Sequence, residues 1–462
     1  MSDTTIFQNT KPESQPSVPP LVKQELPPHA DFPFSKLFKA AIGLFVVGII
    51  IFSVVRFVIP SFIKNKNETV TLSYWGLWEG ENTMHTILAD FEKQNPNIKV
   101  TYTKQDVKEY KDRLTTRIQN GNGPDIFMFH NTWLPQVSSL LLPLPSDVMQ
   151  KDDFEKGFYP VVRGDLTKNG AIYGIPSGID TLALFVNSEI FRQAGSTAPT
   201  NWQDFGKTAR LLTVKDENGN IKTSGAAMGT FDNITHAPDL ISLLLVQNGA
   251  DMKNLSQTSR SVVDTLDFYT SFAKDEGKVW DGTLDPSLLT FSKGNLAMYF
   301  GYSWDVFAIK TISPNLVFQI APVPHLQGRN MTIASYWGNG ISVKSTHQKE
   351  SLLFMKFLSQ KETMQKLFSE SSKTRLFGEP YPRVDLSQSL KTNELVYPFV
   401  SQANNASSSF FASDTFDNGL NAQMNGYLGN AVRSILGNTS IETAVDTLIK
   451  GVDQIVKQYG GQ

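Results

Sequence analysis

The chain has 462 residues, enough for two or more core-forming units. Its 40% hydrophobic and 19% charged content fits a globular protein with some lipid-compatible sequence. A net charge of −2 offers no basic field for nucleic acid, and the absence of cysteine excludes disulfides, thiolate nucleophiles, cysteine-ligated zinc and a lipidated-cysteine tether.

Residues 1–35 read as a disordered tail, because "KPESQPSVPPLVKQELPPHADFPF" is rich in proline and polar residues and has no apolar period. "AAIGLFVVGIIIFSVVRFVI" (40–59) follows, with Arg56 as its single charge. At about 1.5 Å per residue this run matches a ~30 Å hydrocarbon core. The expectation is one transmembrane helix over 36–63, in contact with the lipid bilayer through 40–59. A cleaved signal peptide is the rival; the run is too long for one and has no small-x-small cleavage site. Lys23, Lys36 and Lys39 before the helix balance Arg56, Lys64 and Lys66 after it, so charge does not orient it. A single-pass cell-membrane protein with its large C-terminal part outside is the expected localisation.

From Glu68 onward strand and helix patterns alternate. "TVTLSYWGLW" (69–78) reads as a strand, and "NTMHTILADFEKQNP" (82–96) as a helix with Met84, Ile87, Leu88 and Phe91 on one face. "IKVTYTKQ" (98–105) is a second strand. "VKEYKDRLTTRIQNG" (107–121) is a second helix closed by Gly121, and "DIFMF" (125–129) is a third strand. This order implies a mostly parallel sheet with helices on both faces, whose ligands sit beyond the strands' carboxyl ends. Trp75 and Trp78 end the first strand, and His130, Asn131 and Trp133 follow the third. All five are expected at one rim.

Taken together, "TLSYWGLWEGENTMHTILADFEKQNPNIKV", "GNGPDIFMFHNTW", "IYGIPSGIDTLALFVNSEIFRQAG", "NWQDFGKTARLLT", "FSKGNLAMYFGYSW" and "ASYWGNGISV" resemble the extracellular solute-binding proteins of the sugar-binding type. These are receptors of ABC importers related to maltodextrin-binding protein. The resemblance runs over nearly all of 68–462. It implies an α/β, two-lobed periplasmic-binding-protein-like fold of type II with discontinuous lobes: 68–180 with 330–372, and 181–329 with 373–462. It places Asp180 at the first crossover, where an acidic residue takes sugar hydroxyls; a carboxylate suits this because it only accepts. It matches Trp304 to a tryptophan that stacks a sugar ring, with Tyr302 and Asp305 flanking it, and puts Trp337 on the cleft after the second crossover. An indole face and the C–H face of a pyranose desolvate each other without using a hydrogen bond. Asn233 and His236 precede a second-lobe helix that begins near Pro238 and are further ligand candidates. Phe416 stands where the family often adds an aromatic; the maltodextrin binders carry a tryptophan in that region.

The expected function is capture of a mono- or oligosaccharide between two lobes and delivery to an ABC permease, by a monomer with no cofactor and no catalytic activity. An extracellular glycosidase would need two carboxylates about 5–10 Å apart; Glu79, Asp180 and Asp305 are available, without a local catalytic motif. A receptor for a polyamine or peptide is a further alternative, a polyamine being left open by Asp180 together with the tryptophans, and the fold by itself would suit a surface scaffold. Asn-x-Ser/Thr sequons stand at Asn67, Asn233, Asn254, Asn330, Asn405 and Asn438.

Overall fold

The computed structural model describes residues 34–58 and 69–459. The tail read as disordered lies outside the described residues up to residue 33. The chain divides into two units, residues 1–68 and 69–462.

In the first unit an α-helix runs over Phe34–Ser53 and passes into a π-helical turn, Val54–Val58. Among the described residues no helix is long and apolar enough to cross a membrane. This corrects three expectations: the transmembrane helix over 36–63, the bilayer contact through 40–59, and the single-pass membrane localisation. The regular helix stops at Ser53, so it holds only residues 40–53 of the apolar run. That is about 21 Å of rise against a ~30 Å hydrocarbon core. Residues 54–58 are wound as a π turn around Arg56.

The second unit carries β1 (Val70–Gly76), β2 (Ile98–Lys104), β3 (Ile126–His130), β4 (Thr167–Lys168), β5 (Ala171–Ile172), β6 (Ile175–Pro176) and β7 (Asp180–Thr181). It continues with β8 (Ala183–Asn187), β9 (Val214–Lys215), β10 (Ile221–Ala226), β11 (Leu296–Gly301) and β12 (Phe318–Ala321). The last are β13 (Thr332–Ser335), β14 (Trp337–Ile341) and β15 (Ala406–Ser407). The first sheet has the order β2-β1-β3-β14-β6 and the second β12-β8-β11-β10-β9. β1 pairs in parallel with β2 and β3, as the strand–helix–strand pattern requires. β14 enters from far along the chain and runs antiparallel to both β3 and β6. In the second sheet β10 and β11 are parallel, and β8 is antiparallel to β11 and β12.

Between the sheets the chain passes three times, and the passes pair with one another. β13 lies between β7 and β15, with Ser335 opposite Asp180 and Thr332 opposite Ala406. This small sheet joins β6 to β8 through β7, and β12 to β14 through β13.

Local chemistry sets the element ends. The helix Glu81–Gln94 buries Met84, Ile87, Leu88 and Phe91, the face read from the period. The next helix starts at Tyr110, not at Val107, because Glu109 sits in the left-handed region at φ 55°. β1 ends at Gly76, where the Tyr102 ring crosses so closely that a Cβ would collide with it. Trp78 therefore lies in the bend after the strand.

The third pass leads to the helices Leu420–Leu436 and Ile441–Gln458, which pack on each other and on the helix Ser259–Thr270. Just before them Asp417 meets Lys111, on the helix Tyr110–Gln119, at 2.6 Å. Both side chains are almost buried, and Gln136 binds both partners. Burial pulls the Lys111 ammonium below its usual range. Removing one partner of such a pair strands the other charge. Asp417→Ala is expected to cost about 3 kcal/mol in urea unfolding, and Asp417→Ala/Lys111→Met clearly less; a single-variant loss below about 0.5 kcal/mol contradicts this, being the level of an ordinary surface change.

Candidate functional site

A cavity of about 520 Å³ takes wall from the first sheet, from the helix that follows β11 and from the passes between the sheets. Trp78 lines it after β1 and Trp337 at the start of β14. Ser177, Gly178 and Asp180 line it from the first pass, and Trp304 and Phe307 from the helix Ser303–Ile312 after β11. The volume is in the range of small-molecule sites.

Trp304 is a braced plate. Its ring stacks on Tyr302 at 4.4 Å with 17° between planes. Tyr302 is fully buried, and its hydroxyl donates to Asp239 at 2.8 Å. One Asp305 carboxylate oxygen accepts the Tyr302 N–H and the Tyr299 hydroxyl, each at 3.0 Å, and meets His236 Nε2 at 2.8 Å. The other His236 nitrogen, Nδ1, meets Ser413 Oγ at 2.7 Å. Gly301 makes room for this carboxylate, which a Cβ there would strike. Burial alone would lower the His236 pKa, but Asp305 at Nε2, with Asp414 3.6 Å from Nδ1 and with Asp239, outweighs burial and raises it to about 9. His236 is thus a buried imidazolium that ties Asp305 beneath the plate.

Asp180 is buried in β7. Its Oδ2 accepts both the N–H, at 2.9 Å, and the Oγ–H of Ser303, the first residue of the Trp304 helix. Its Oδ1 accepts the Thr181 N–H at 2.9 Å. Burial holds its pKa well above the carboxylate range against those bonds. The carboxyl group that fixes the helix thus accepts three bonds, lines the cavity and is held by burial toward its neutral form.

On the opposite wall Trp337 is the hub of an aromatic cluster. Its ring meets Trp133 at 5.0 Å, His130 at 5.2 Å and Trp78 at 5.4 Å, all edge-to-face. Phe416 reaches Trp78 at 6.3 Å and lines the cavity. Phe416 and Asp414, another wall residue, stand at φ 49° and 54°, in the left-handed region that bulky residues avoid. The buried Trp78 Nε1–H has no hydrogen-bond partner among the described residues.

The structure brings Trp78, Asp180, Trp304 and Trp337 to one cavity, with Asp305 and Phe416 also on its wall; Trp75, Trp133, His130, Asn131, Asn233, Tyr302 and His236 stand elsewhere. Trp75 alternates with Tyr74 along β1, so it faces Tyr110 and Arg117 on the far side of the sheet. Trp133 is buried between Tyr110 and Trp337. His130 ends β3, buried against Thr132 and Ser335, and burial holds its pKa down at about 3. Asn131 Nδ2 donates to Asp165 at 2.9 Å, and Tyr336 and Ser408 bind the same carboxylate. Asn233 organises its own loop, donating to the carbonyls of Asp281 and Leu284. Tyr302 and His236 stand behind Trp304.

The wall also holds residues that sequence reasoning missed. Arg375 reaches Glu79 at 2.7 Å and Glu379 at 3.0 Å and lies over Phe307. Glu379 and Phe377 line the cavity with it. The only local signal was the turn-rich "RLFGEPYP" after a helix.

Residues 86–393 match the family model described as bacterial extracellular solute-binding protein. The "Multiple sugar-binding protein" of Streptococcus mutans serotype c is 24% identical over 334 residues, covering 66% of this chain and 74% of that protein. A cyclo/maltodextrin-binding protein solved with maltotetraose superposes with a TM-score of 0.69 at 18% identity, over 84% of this chain and 98% of that one. The sugar-binding protein MalE of Xanthomonas citri gives 0.68 at 21% identity, with the same coverages. These likenesses establish the two-lobed α/β fold of type II. Since the family model spans more than half of its length, the chain belongs to the bacterial extracellular solute-binding proteins.

Proposed function

We propose that this protein is a receptor that captures a carbohydrate between two lobes and hands it to an ABC importer. The observation that carries this reading is the braced indole of Trp304 sharing a cavity with Trp337 of β14 and with Trp78 in the bend after β1. A pyranose presents a flat C–H face and a rim of hydroxyls. In this reading plates of indole meet the first, and Asp180, on the cavity wall, accepts from the second. The streptococcal relative named for binding multiple sugars and the maltotetraose complex support the same ligand class. We take the lobes to be 68–180 with 330–372, and 181–329 with 373–462, the small β7-β13-β15 sheet acting as hinge. Ligand that touches both walls binds the shut form better and so closes the hinge.

Catalysis by a carboxylate pair has little support, because the acidic groups are engaged. Glu79 is held by Arg375 and Ser371, Asp180 by Ser303, and Asp305 by His236 and Tyr299. An anionic ligand is disfavoured because the cavity's arginine, Arg375, is shared between two glutamates.

Three outcomes are expected. In a thermal-shift screen of mono- and oligosaccharides, amines and peptides, a sugar should raise the melting point with concentration; a response to amines or peptides alone contradicts the reading. Trp304→Ala should weaken that sugar about ten-fold, a loss of ~1.4 kcal/mol, with melting little changed; unchanged affinity removes Trp304 from the site. His236 has a folded pKa raised above the unfolded value of 6.5. Its stabilising contribution is therefore complete below ~6.5 and lost as pH rises through about 9. Denaturant titrations should show stability falling by about 3 kcal/mol more in the parent than in His236→Gln across that window; parallel curves would contradict the buried imidazolium.

A further inference from the structure

The cavity has a second part that sugar chemistry does not explain. Beyond the tryptophans it extends under three helices packed on the first sheet: Glu81–Gln94, Gln348–Leu358 and Lys361–Ser371. These helices contribute Met84, Ile87, Leu358, Met364 and Leu367 to its wall, and Thr363 as the one hydroxyl. The sheet contributes Met128 and the rings of Tyr74 and Tyr102. Both phenols are already satisfied: Tyr74 donates to Asn339 Oδ1 at 2.7 Å, and Tyr102 to the Glu79 carbonyl at 2.8 Å. A sugar ring pushed in here would lose water from its hydroxyls and find almost nothing to bond. Small apolar chambers of this kind stay dry and take apolar guests. Three of the wall residues are methionines, whose unbranched thioethers adapt to guests of different shape.

We infer that the ligand is amphiphilic: a glycoside or substituted sugar whose polar ring lies between the tryptophans and whose alkyl or aryl substituent enters this chamber. The inference rests on the sugar reading above and narrows it. Continuity decides the occupant, since the chamber and the tryptophan plates are parts of one cavity. The Glu79–Arg375–Glu379 cluster lies on the same wall, with one guanidinium shared between two carboxyl groups, so the substituent passes no unpaired cation.

The test is calorimetric titration of the full chain with methyl and n-hexyl β-D-glucosides, maltosides and mannosides, and with 1-hexanol alone. Leu367→Trp and Met364→Phe fill the chamber, and melting curves check that each variant folds. The expected result is at least ten-fold tighter binding of one hexyl glycoside than of its methyl analogue. Both filling variants should abolish that advantage while keeping the methyl affinity. Equal methyl and hexyl affinities would overturn the inference and leave the sugar reading standing. If hexanol binds and the variants block it, but no glycoside binds in any series, the sugar reading is what fails and the inference falls with it. If neither binds, both are overturned.

Discussion

The site depends on one buried contact, the Asp180 carboxylate at the start of the Trp304 helix. Asp180 belongs to β7, in the first pass between the sheets, and Ser303 opens the helix. By accepting both Ser303 donors, one carboxylate oxygen fixes the helix start relative to the hinge. A helix N-terminus favours an acceptor on dipolar grounds, while burial works against the ionised form. The position of the main plate is thereby tied to a strand of the proposed hinge. Tyr302, Asp305 and His236 then hold the indole from behind, so its orientation does not depend on ligand. Preorganisation of this sort spares the ordering cost that binding otherwise carries.

The opposite wall follows a different logic. Trp337 is held edge-on by three aromatic neighbours, and Phe416, beside Trp78, sits in left-handed backbone that a bulky residue avoids. One wall is braced by charge and stacking, the other by packed rings and a bent loop. The apolar chamber beside them gives the site a polar end and a greasy end, an asymmetry that can orient a ligand along the cleft. A receptor built this way separates related solutes by what is attached to the sugar as well as by the sugar.

Much of the fold is legible in the residues, and so is part of the site. Period and turn chemistry locate β1 to β3 and the two helices between them, and the tryptophans at 78, 304 and 337 stand out in the sequence as ligand candidates. What escapes is set by tertiary pairing. Strand parity decides that Tyr74 faces the chamber and Trp75 the opposite helix, but which face leads to the cavity depends on β14 arriving from more than two hundred residues away. Arg375 and Glu379 meet Glu79 only after the chain has crossed twice. His236 reads as a loop histidine beside a helix start; its role comes from Asp305, sixty-nine residues on. The apolar run at 40–59 misleads for a local reason, since hydropathy does not report that the regular helix gives way to a π turn after Ser53.

The central claim is that a sugar gripped by both walls draws the two sheets together about the crossing strands. The chain has no cysteine, so Lys93→Cys and Lys253→Cys, on the two lobes proposed above, can be spin-labelled uniquely; both positions are exposed. Pulsed electron–electron double resonance then reads the distance between the labels with and without saturating sugar. The account predicts a shorter, narrower distance distribution with sugar bound. An unchanged distribution at saturation would contradict it.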